Sequence, residues 1–397
     1  MSLPSLRIGF FSDTYLPAVN GIATSMQLLT QGLREAGHEV TIFAPRFPNY
    51  EDEEPMVRRV PSFRYMTLPE VYVAVPGTPR TTWALRAIEL DLVHAHSPLT
   101  LGMMAFITAR ARRLPLVYTY HTSLTDYTHY MKVVGNTRLA IHATRWFSTA
   151  TANLSDQVVV PSNKFKRVLG AQNVHRPVHA IPNGIDLSNF QNAAATGKVR
   201  ARLGMKPDAP LLIFVGRIDP EKNIDFLFEA FDRISHRFPD AHLVLAGDGS
   251  ARAGLEEQAA SLSCAKRIHF LGMIQRADLP ALLHEADLFL SASTSETQCL
   301  SMVEAIAAGL PVVAVKDEAF EGIIEDGVNG RTVSMNLETF GDTVCGLLAN
   351  RGLLESFASH SRQMSGRFSI EAQVEALVEL YRAALEAPRK SRMPLFV

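Results

Sequence analysis

The sequence predicts an α/β protein of two doubly wound, Rossmann-like domains, each a parallel sheet flanked by helices. Three observations carry this expectation. At 397 residues the chain exceeds what one hydrophobic core ordinarily serves. Strand candidates such as Val312-Val313-Ala314-Val315 are apolar on every residue, which is the pattern of strands buried on both faces. The alternation of such strands with amphipathic helices also halts before Lys206 and restarts at Leu211. The expected domains are residues 1–190 and 191–369, followed over 370–397 by a terminal helix and a tail.

Leu6 to Phe11 reads as the first buried strand, followed by the polar loop Ser12 to Gly21, a helix from Ile22 to Ala36 stopped by Gly37, and a strand from Val40 to Ala44. Residues 46–79 are rich in Pro and charge and read as irregular with short edge strands. Within them Met56 to Met66 interleaves arginines with apolar and aromatic residues, a pattern that suits either an edge strand or contact with anionic lipid. Strand Leu92 to Ala95 runs into His94-Ala95-His96. After a helix from Leu101 to Arg113, strand Pro115 to Tyr120 ends at His121. Two successive strand ends thus deliver histidines to one sheet edge, with no carboxylate close in sequence to complete a metal site. Lys132 to Asn153 can be written as an amphipathic helix that packs on its domain or dips into a membrane interface, core packing being the default. A strand at Gln157 to Val160, a helix opening at Pro161 and a strand and turn at Ala180 to Asp186 complete the first half.

In the second half, strands are expected at Leu211 to Val215, His242 to Ala246, Ile268 to Leu271, Ala286 to Leu290 and Val312 to Val315. Helices are expected at Asn223 to Phe238, at Arg252 to Ser261, and from about Ser301. Strand ends at Gly216, Gly247 and Gly272 would line one rim, where glycine lets a ligand approach the backbone. Ala319 to Glu325 reads as a helical turn and Asp326 to Gly330 as hairpin-like, with helices near 337–349, 353–361 and 370–387 to follow.

Two stretches concentrate chemistry. In Phe214 to Asn223, FVGRIDPEKN, Arg217 and Lys222 flank a turn between a strand and a helix, so two cations stand ready for a diphosphate. In Ser291 to Val315, Glu296 lies in a loop after a strand and Glu304 one turn into the next helix, beside the backbone N–H groups of Cys299, Leu300 and Ser301 at a helix N-terminus that attracts anions. Ser301-Met302-Val303-Glu304 also matches the S-x-x-E capping box, so Glu304 has a structural reading as well.

Gly216-Arg217-x4-Lys222-Asn223 followed by Glu296-x7-Glu304 resembles retaining GT-B glycosyltransferases of family 4, and the resemblance covers essentially the whole chain. It implies two Rossmann-like domains facing across a cleft, a terminal helix over 370–397 that crosses back to the first domain, and transfer of a sugar from a nucleotide donor. By resemblance Gly21 approaches the donor phosphates, and His121 and Glu296 reach the donor sugar. Glu304 would hold the ribose, and Leu271 to Met273 the base. The pattern around His121, with Asp126, Tyr127, His129 and Tyr130, and the Thr297-Gln298 pair resemble the branch that glucosylates diacylglycerol. Asp13, Tyr15, Asp126, Tyr127 and Tyr130 are the expected acceptor contacts. The resemblance implies UDP-glucose as donor, a lipid hydroxyl as acceptor, and no cofactor or obligatory metal. In one departure, Cys299 stands where many relatives have glycine.

Composition sets limits on partners. From Met1 to Phe190 there are 18 Lys and Arg against 13 Asp and Glu, and from Gln191 onward 21 against 27, so the first half is the basic one. That asymmetry suits an anionic membrane surface and gives no indication of a nucleic-acid partner. No apolar run is long enough to span a bilayer and the start lacks signal-peptide flanks, so the expected place is the cytoplasm or the inner membrane face. Three cysteines without metal-ligand spacing fit a reducing compartment. Oligomeric state is not legible. The competing readings are a transferase using GDP-mannose with phosphatidylinositol or a soluble sugar, a UDP-sugar epimerase, and an inactive membrane-docked scaffold.

Overall fold

The computed structural model describes residues 4–18, 20–52, 56–66, 71–121 and 138–387, and the backbone alone of 138–141, 143 and 144. The chain divides into two compact units, residues 1–184 with 370–397 and residues 185–369. Phe190 packs into the core of the second unit, so the chain changes unit just before it.

The first unit runs β1 (Arg7–Phe11), α1 (Gly21–Glu35), β2 (Glu39–Pro45), β3 (Val57–Val60), β4 (Ser62–Arg64), β5 (Tyr72–Ala74), α2 (Pro79–Arg86), β6 (Leu92–Ala95), α3 (Thr100–Arg112), β7 (Leu116–Thr119), α4 (Arg138–Leu154), β8 (Gln157–Val160), α5 (Asn163–Ala171) and β9 (Val178–Ala180). Seven of these strands form one sheet in the order β3-β2-β1-β6-β7-β8-β9, every pair parallel. β4 and β5 form a separate antiparallel ribbon. Asn20 caps α1 by accepting from the Ala23 N–H at 3.0 Å, satisfying one of the donors that a helix start leaves without an internal partner.

The second unit continues with α6 (Leu187–Gln191), α7 (Lys198–Arg202), β10 (Leu211–Val215), α8 (Ile224–Arg237), β11 (His242–Ala246), α9 (Arg252–Ala260), β12 (Ile268–Gly272), α10 (Leu279–Glu285), β13 (Leu288–Ser291), α11 (Leu300–Ala307), β14 (Val312–Val315), β15 (Gly330–Val333), α12 (Leu337–Leu348) and α13 (Arg351–Ser365). Its sheet order is β12-β11-β10-β13-β14-β15, all parallel. This is the doubly wound order in which the chain reverses direction between the first and fourth strands, here β10 and β13, and ligands bind beyond the strand ends at that reversal. The last helix, α14 (Ile370–Glu386), belongs to the first unit and buries Ile370, Val374, Leu377 and Tyr381 in its core.

Two local expectations are corrected. Asp326 to Gly330 is not the turn of a hairpin: Gly330 opens β15, which pairs parallel with β14. The helix expected from Lys132 to Asn153 is present from Arg138 to Leu154, and its residues 132–137 lie outside the described residues. The S-x-x-E capping box does not form, because α11 starts one residue earlier, with Cys299 at its N-cap and no side-chain cap bond, and Glu304 turns into the interior.

Candidate active site

At the reversal point of the second sheet, the end of β10 and the loop after β13 enclose a cavity of about 100 Å³. It is lined by Phe214, Val215, Gly216, Arg217, Lys222, Phe289, Ser291, Glu296, Cys299, Leu300 and Ser301. Seven of these are residues that the two sequence motifs single out, and the sheet order brings them together although Lys222 and Glu296 are 74 positions apart in sequence.

Lys222 ends a 3-10 turn that Pro220 opens, and Asn223, in the left-handed region at φ 49°, leads the chain into α8. The Asn223 side-chain amide donates to the Ala292 carbonyl at 2.9 Å, tying this turn to the end of β13. Lys222 Nζ then donates to Glu296 Oε1 at 2.6 Å, with both side chains largely buried. Burial, the largest single influence, would lower the lysine pKa, but the charge and hydrogen bond of Glu296 together with nearby Cys299 outweigh it and raise the pKa, so Lys222 is a cation.

Arg217 is half-exposed and is held by Asp219 and Glu221, the latter at 2.9 Å. Asp219 is itself buried and accepts from the backbone and hydroxyl of Ser250 at 2.8 and 2.7 Å. The two cations therefore face carboxylates rather than standing unpartnered, and an incoming diphosphate has to compete for them. Asp219 is a functional position that the sequence reading passed over, although it lies inside the FVGRIDPEKN stretch.

On the opposite wall, the first internal bonds of α11 run from the N–H groups of Met302 and Val303 to the Cys299 carbonyl. The N–H groups of Leu300 and Ser301 precede them at a helix start, where backbone donors lack internal partners and favour an anion. The Cys299 thiol is buried 3.5 Å from the Ser301 hydroxyl, and burial pushes its pKa up to about 12, so it stays protonated. Thr297 is half-buried and Gln298 buried behind it. Glu304 is buried 3.6 Å from the Arg276 guanidinium, and burial raises its pKa to about 7 against the pull of that arginine. Arg276 was missed because nothing near it in sequence marks it.

The rim glycines have separate reasons. Gly216 and Gly247 have φ of 156° and 145°, and a Cβ on Gly247 would fall on the Gly216 carbonyl oxygen. Gly247 is therefore demanded by the packing of two strand ends. Gly272, at φ 72°, accepts from the Gly247 N–H at 2.9 Å, between half-buried Leu271 and exposed Met273. Gly21, in the first unit, has no atom within 4 Å of where a Cβ would stand, so the fold itself asks for no glycine there.

The first unit holds the other expected residues. His121 ends up buried, its Nε2 2.9 Å from His96 Nδ1, with the rings stacked at 5.2 Å. His94 lies beside His96 and bridges Tyr381 and Thr119 at 2.7 and 2.6 Å. Burial holds all three well below the ordinary histidine pKa, His121 at about 4, so the stack is neutral near pH 7. Asp13 and Tyr15, expected to contact the acceptor, make contacts within the first unit. The Asp13 carboxylate accepts from Ser97, Thr100 and the Leu101 N–H at 2.5 to 2.9 Å, anchoring the start of α3. Tyr15 is 1% exposed, its ring in the core 5.9 Å from the Arg59 guanidinium. Asp126, Tyr127, His129 and Tyr130 lie outside the described residues. Among the described residues, no three His, Cys, Asp or Glu side chains are grouped to hold a metal, and no helix is long and apolar enough to cross a membrane.

Comparison with known proteins agrees with this arrangement. Residues 19–189 match the model of Glycosyltransferase Family 4, and residues 196–364 that of Glycosyl transferases group 1. The chain is 33% identical to the alpha-monoglucosyldiacylglycerol synthase of Acholeplasma laidlawii over 84% of its length and 86% of that protein. It is 31% identical to the synthase of the same name from Streptococcus pneumoniae, over 82% and 74%. A GDP-mannose-dependent alpha-mannosyltransferase of Mycobacterium tuberculosis is 32% identical over 78% and 79%. Among solved structures, Anabaena HepE in complex with UDP and glucose superposes with a TM-score of 0.77 at 20% identity, covering 95% of this chain and all of that one. With two parallel Rossmann-like sheets, a cation-lined cavity where the second sheet reverses and family matches over both halves, the chain belongs to glycosyltransferase family 4 and is a glycosyltransferase of the GT-B fold.

Proposed function

We propose that this enzyme moves glucose from UDP-glucose to a hydroxyl of a lipid such as diacylglycerol, with retention of anomeric configuration and no obligatory metal. The observation that carries the chemistry is the Lys222–Glu296 pair opposite the first turn of α11, in the cavity where the second sheet reverses. The names of the two synthase relatives support the donor sugar and the acceptor.

The difficult step is departure of a nucleotide diphosphate. Lys222, Arg217 and the N–H groups at the start of α11 are donors fixed in advance around the cavity, and removing one such donor costs about 3 to 4 kcal/mol of barrier. Glu296 then serves two ends: it holds Lys222 in place and orients sugar hydroxyls. Glu304 accepts from the ribose hydroxyls. In a front-face scheme the bond from the anomeric carbon to the phosphate oxygen breaks with its electron pair on the phosphate. The acceptor oxygen bonds to that carbon from the same side, and its proton passes to the leaving phosphate. His121, neutral at working pH, contributes a hydrogen bond rather than a charge.

The mannosyltransferase relative favours a second reading, with GDP-mannose as donor. Incubating the protein with labelled UDP-glucose or GDP-mannose, EDTA, and vesicles containing diacylglycerol or phosphatidylinositol separates the two. An α-glucosyl lipid formed with release of UDP is the expected product, its anomer identified by proton NMR. A mannosyl lipid alone, or no glycolipid from any pairing, overturns the proposal.

A further inference from the structure

Arg217 is gripped by two acids that are held in different ways. A separate guanidinium nitrogen goes to each: Nη1 donates to Asp219 Oδ2, and Nη2 to Glu221 Oε1 at 2.9 Å. Asp219 is 4% exposed, and its other oxygen accepts from the N–H and the hydroxyl of Ser250 at 2.8 and 2.7 Å. Ser250 lies in the loop after β11. Backbone bonds stitch that loop to the one after β10, from the Ile218 N–H to the Asp248 carbonyl at 2.9 Å and from the Ala251 N–H to the Ile218 carbonyl at 3.0 Å. A Cβ on Gly249 would fall on the Ile218 carbonyl and lie 2.8 Å from Asp219 Oδ1, so the loops meet with no room for a side chain. Asp219 is thereby part of the frame and cannot follow Arg217 if the guanidinium moves.

Glu221 has no such frame. Among the described residues Arg217 is the one hydrogen-bond donor to its carboxylate, and its Oε2 is buried without a partner. A buried acceptor left unmade carries a penalty, and an ion pair on a half-exposed arginine returns little against it, so the Arg217–Glu221 contact is the weaker of the two. Arg217 lines the cavity at the sheet reversal, whereas neither Asp219 nor Glu221 does. An anion entering the cavity therefore meets the arginine first and the two carboxylates behind it. Both repel the anion through space, but only Asp219 repays that by fixing where the guanidinium stands.

We propose that the two carboxylates act on Arg217 with opposite effect: Asp219, fixed by Ser250, is the positioning residue that holds the guanidinium at the diphosphate site, and Glu221 is a releasable partner that the diphosphate displaces. The inference rests on the nucleotide-diphosphate donor proposed above and deepens it, and it is read from binding alone, without acceptor or turnover.

The test is calorimetric binding of UDP, GDP and pyrophosphate to the full-length protein. If both acids merely neutralised the arginine, removing either charge would move the affinity in the same direction. Glu221→Gln should instead tighten UDP binding about threefold, the scale of a half-exposed charge pair. Asp219→Asn should weaken it about tenfold, the scale of a lost hydrogen bond between charged groups. Because Asp219 is buried and its variant could fail to fold, the exposed Ser250 supplies a second arm. Ser250→Ala should weaken binding about threefold with an unchanged circular dichroism spectrum, and Ser250→Thr, which keeps the hydroxyl, should restore it. Weaker UDP binding in Glu221→Gln, or undiminished binding in Ser250→Ala, overturns the proposal. A wild type that binds GDP and not UDP refutes the UDP-glucose reading alone, and the same reversal of sign is then read with GDP. A wild type that binds none of the three probes overturns both.

Discussion

A single buried ion pair decides what substitutions in the site report. Lys222 and Glu296 lie 2.6 Å apart with little solvent around them, so deleting either partner leaves the other charge stranded. Such a deletion costs about 3 to 5 kcal/mol where burial is complete, and removing both charges together costs far less. Lys222→Met and Glu296→Gln should therefore each lower the unfolding free energy by about 2 kcal/mol at this partial burial, and the double variant should regain most of it. Turnover should fall at least a hundredfold in all three, as expected of a lost transition-state donor. Chemical denaturation beside initial rates gives both readings, and recovery of activity along with stability in the double variant would strip the pair of its part in the reaction. Glu304 makes a different statement. Its pKa of about 7 means burial favours the proton, so the stability that this protonation contributes is lost as pH rises through 7. Ribose hydroxyls donate to a carboxylate, so nucleotide binding has to draw that proton off. The affinity for UDP-glucose should rise about tenfold from pH 6 to 8, with proton release visible by calorimetry in two buffers, and Glu304→Gln should flatten the dependence.

The elements around the site turn two glycines into a controlled comparison. A Cβ on Gly247 meets the Gly216 carbonyl, a backbone atom that cannot yield without lifting the end of β10, and φ of 145° adds strain. Gly247→Ala should cost about 2 to 3 kcal/mol of stability and weaken donor binding through the displaced Arg217 loop. A Cβ on Gly21 meets nothing within 4 Å, so Gly21→Ala should leave stability within about 0.5 kcal/mol and raise only the donor KM. An unchanged KM would remove Gly21 from the donor site. The same elements show what sequence discloses. β10, β11 and β14 were legible to the residue because strands buried on both faces are written in apolar runs. β15 was not, since an edge strand spelled Gly-Arg-Thr-Val carries no such run, and α10 is a seven-residue helix too short to show a period. The motif residues were legible, but their partners were not. Asp219 and Glu221 neutralise Arg217 from two and four residues away, and Arg276 reaches Glu304 from another loop. The capping box misled because the local signal at Ser301 and Glu304 lost to burial of the glutamate.

At the scale of the whole molecule, the chain is discontinuous in the first unit and continuous in the second. Residues 185–369 contain every strand of their own sheet. Residues 1–184 lack α14, whose Ile370 and Val374 approach so closely that a Cβ on Gly32 of α1 would lie 2.9 Å from each. Farther along α14, Tyr381 is fully buried and bonded to His94, which in turn reaches Thr119 on β7. Burying a large apolar side chain is worth about 1.5 to 3 kcal/mol, and α14 contributes Ile370, Val374, Leu377, Leu380 and Tyr381, a sum comparable with the whole stability of a domain. Removing the helix also strands His94 with one partner in a dry interior, a second penalty of about 1 to 3 kcal/mol. The fragment 185–369 should therefore unfold cooperatively on its own, whereas 1–184 should show neither a cooperative melt nor dispersed amide resonances. Joining 370–387 to the end of 1–184 by a flexible linker should restore both. A cooperative transition in 1–184 alone would mean that the terminal helix is an attachment to the first unit rather than part of its core.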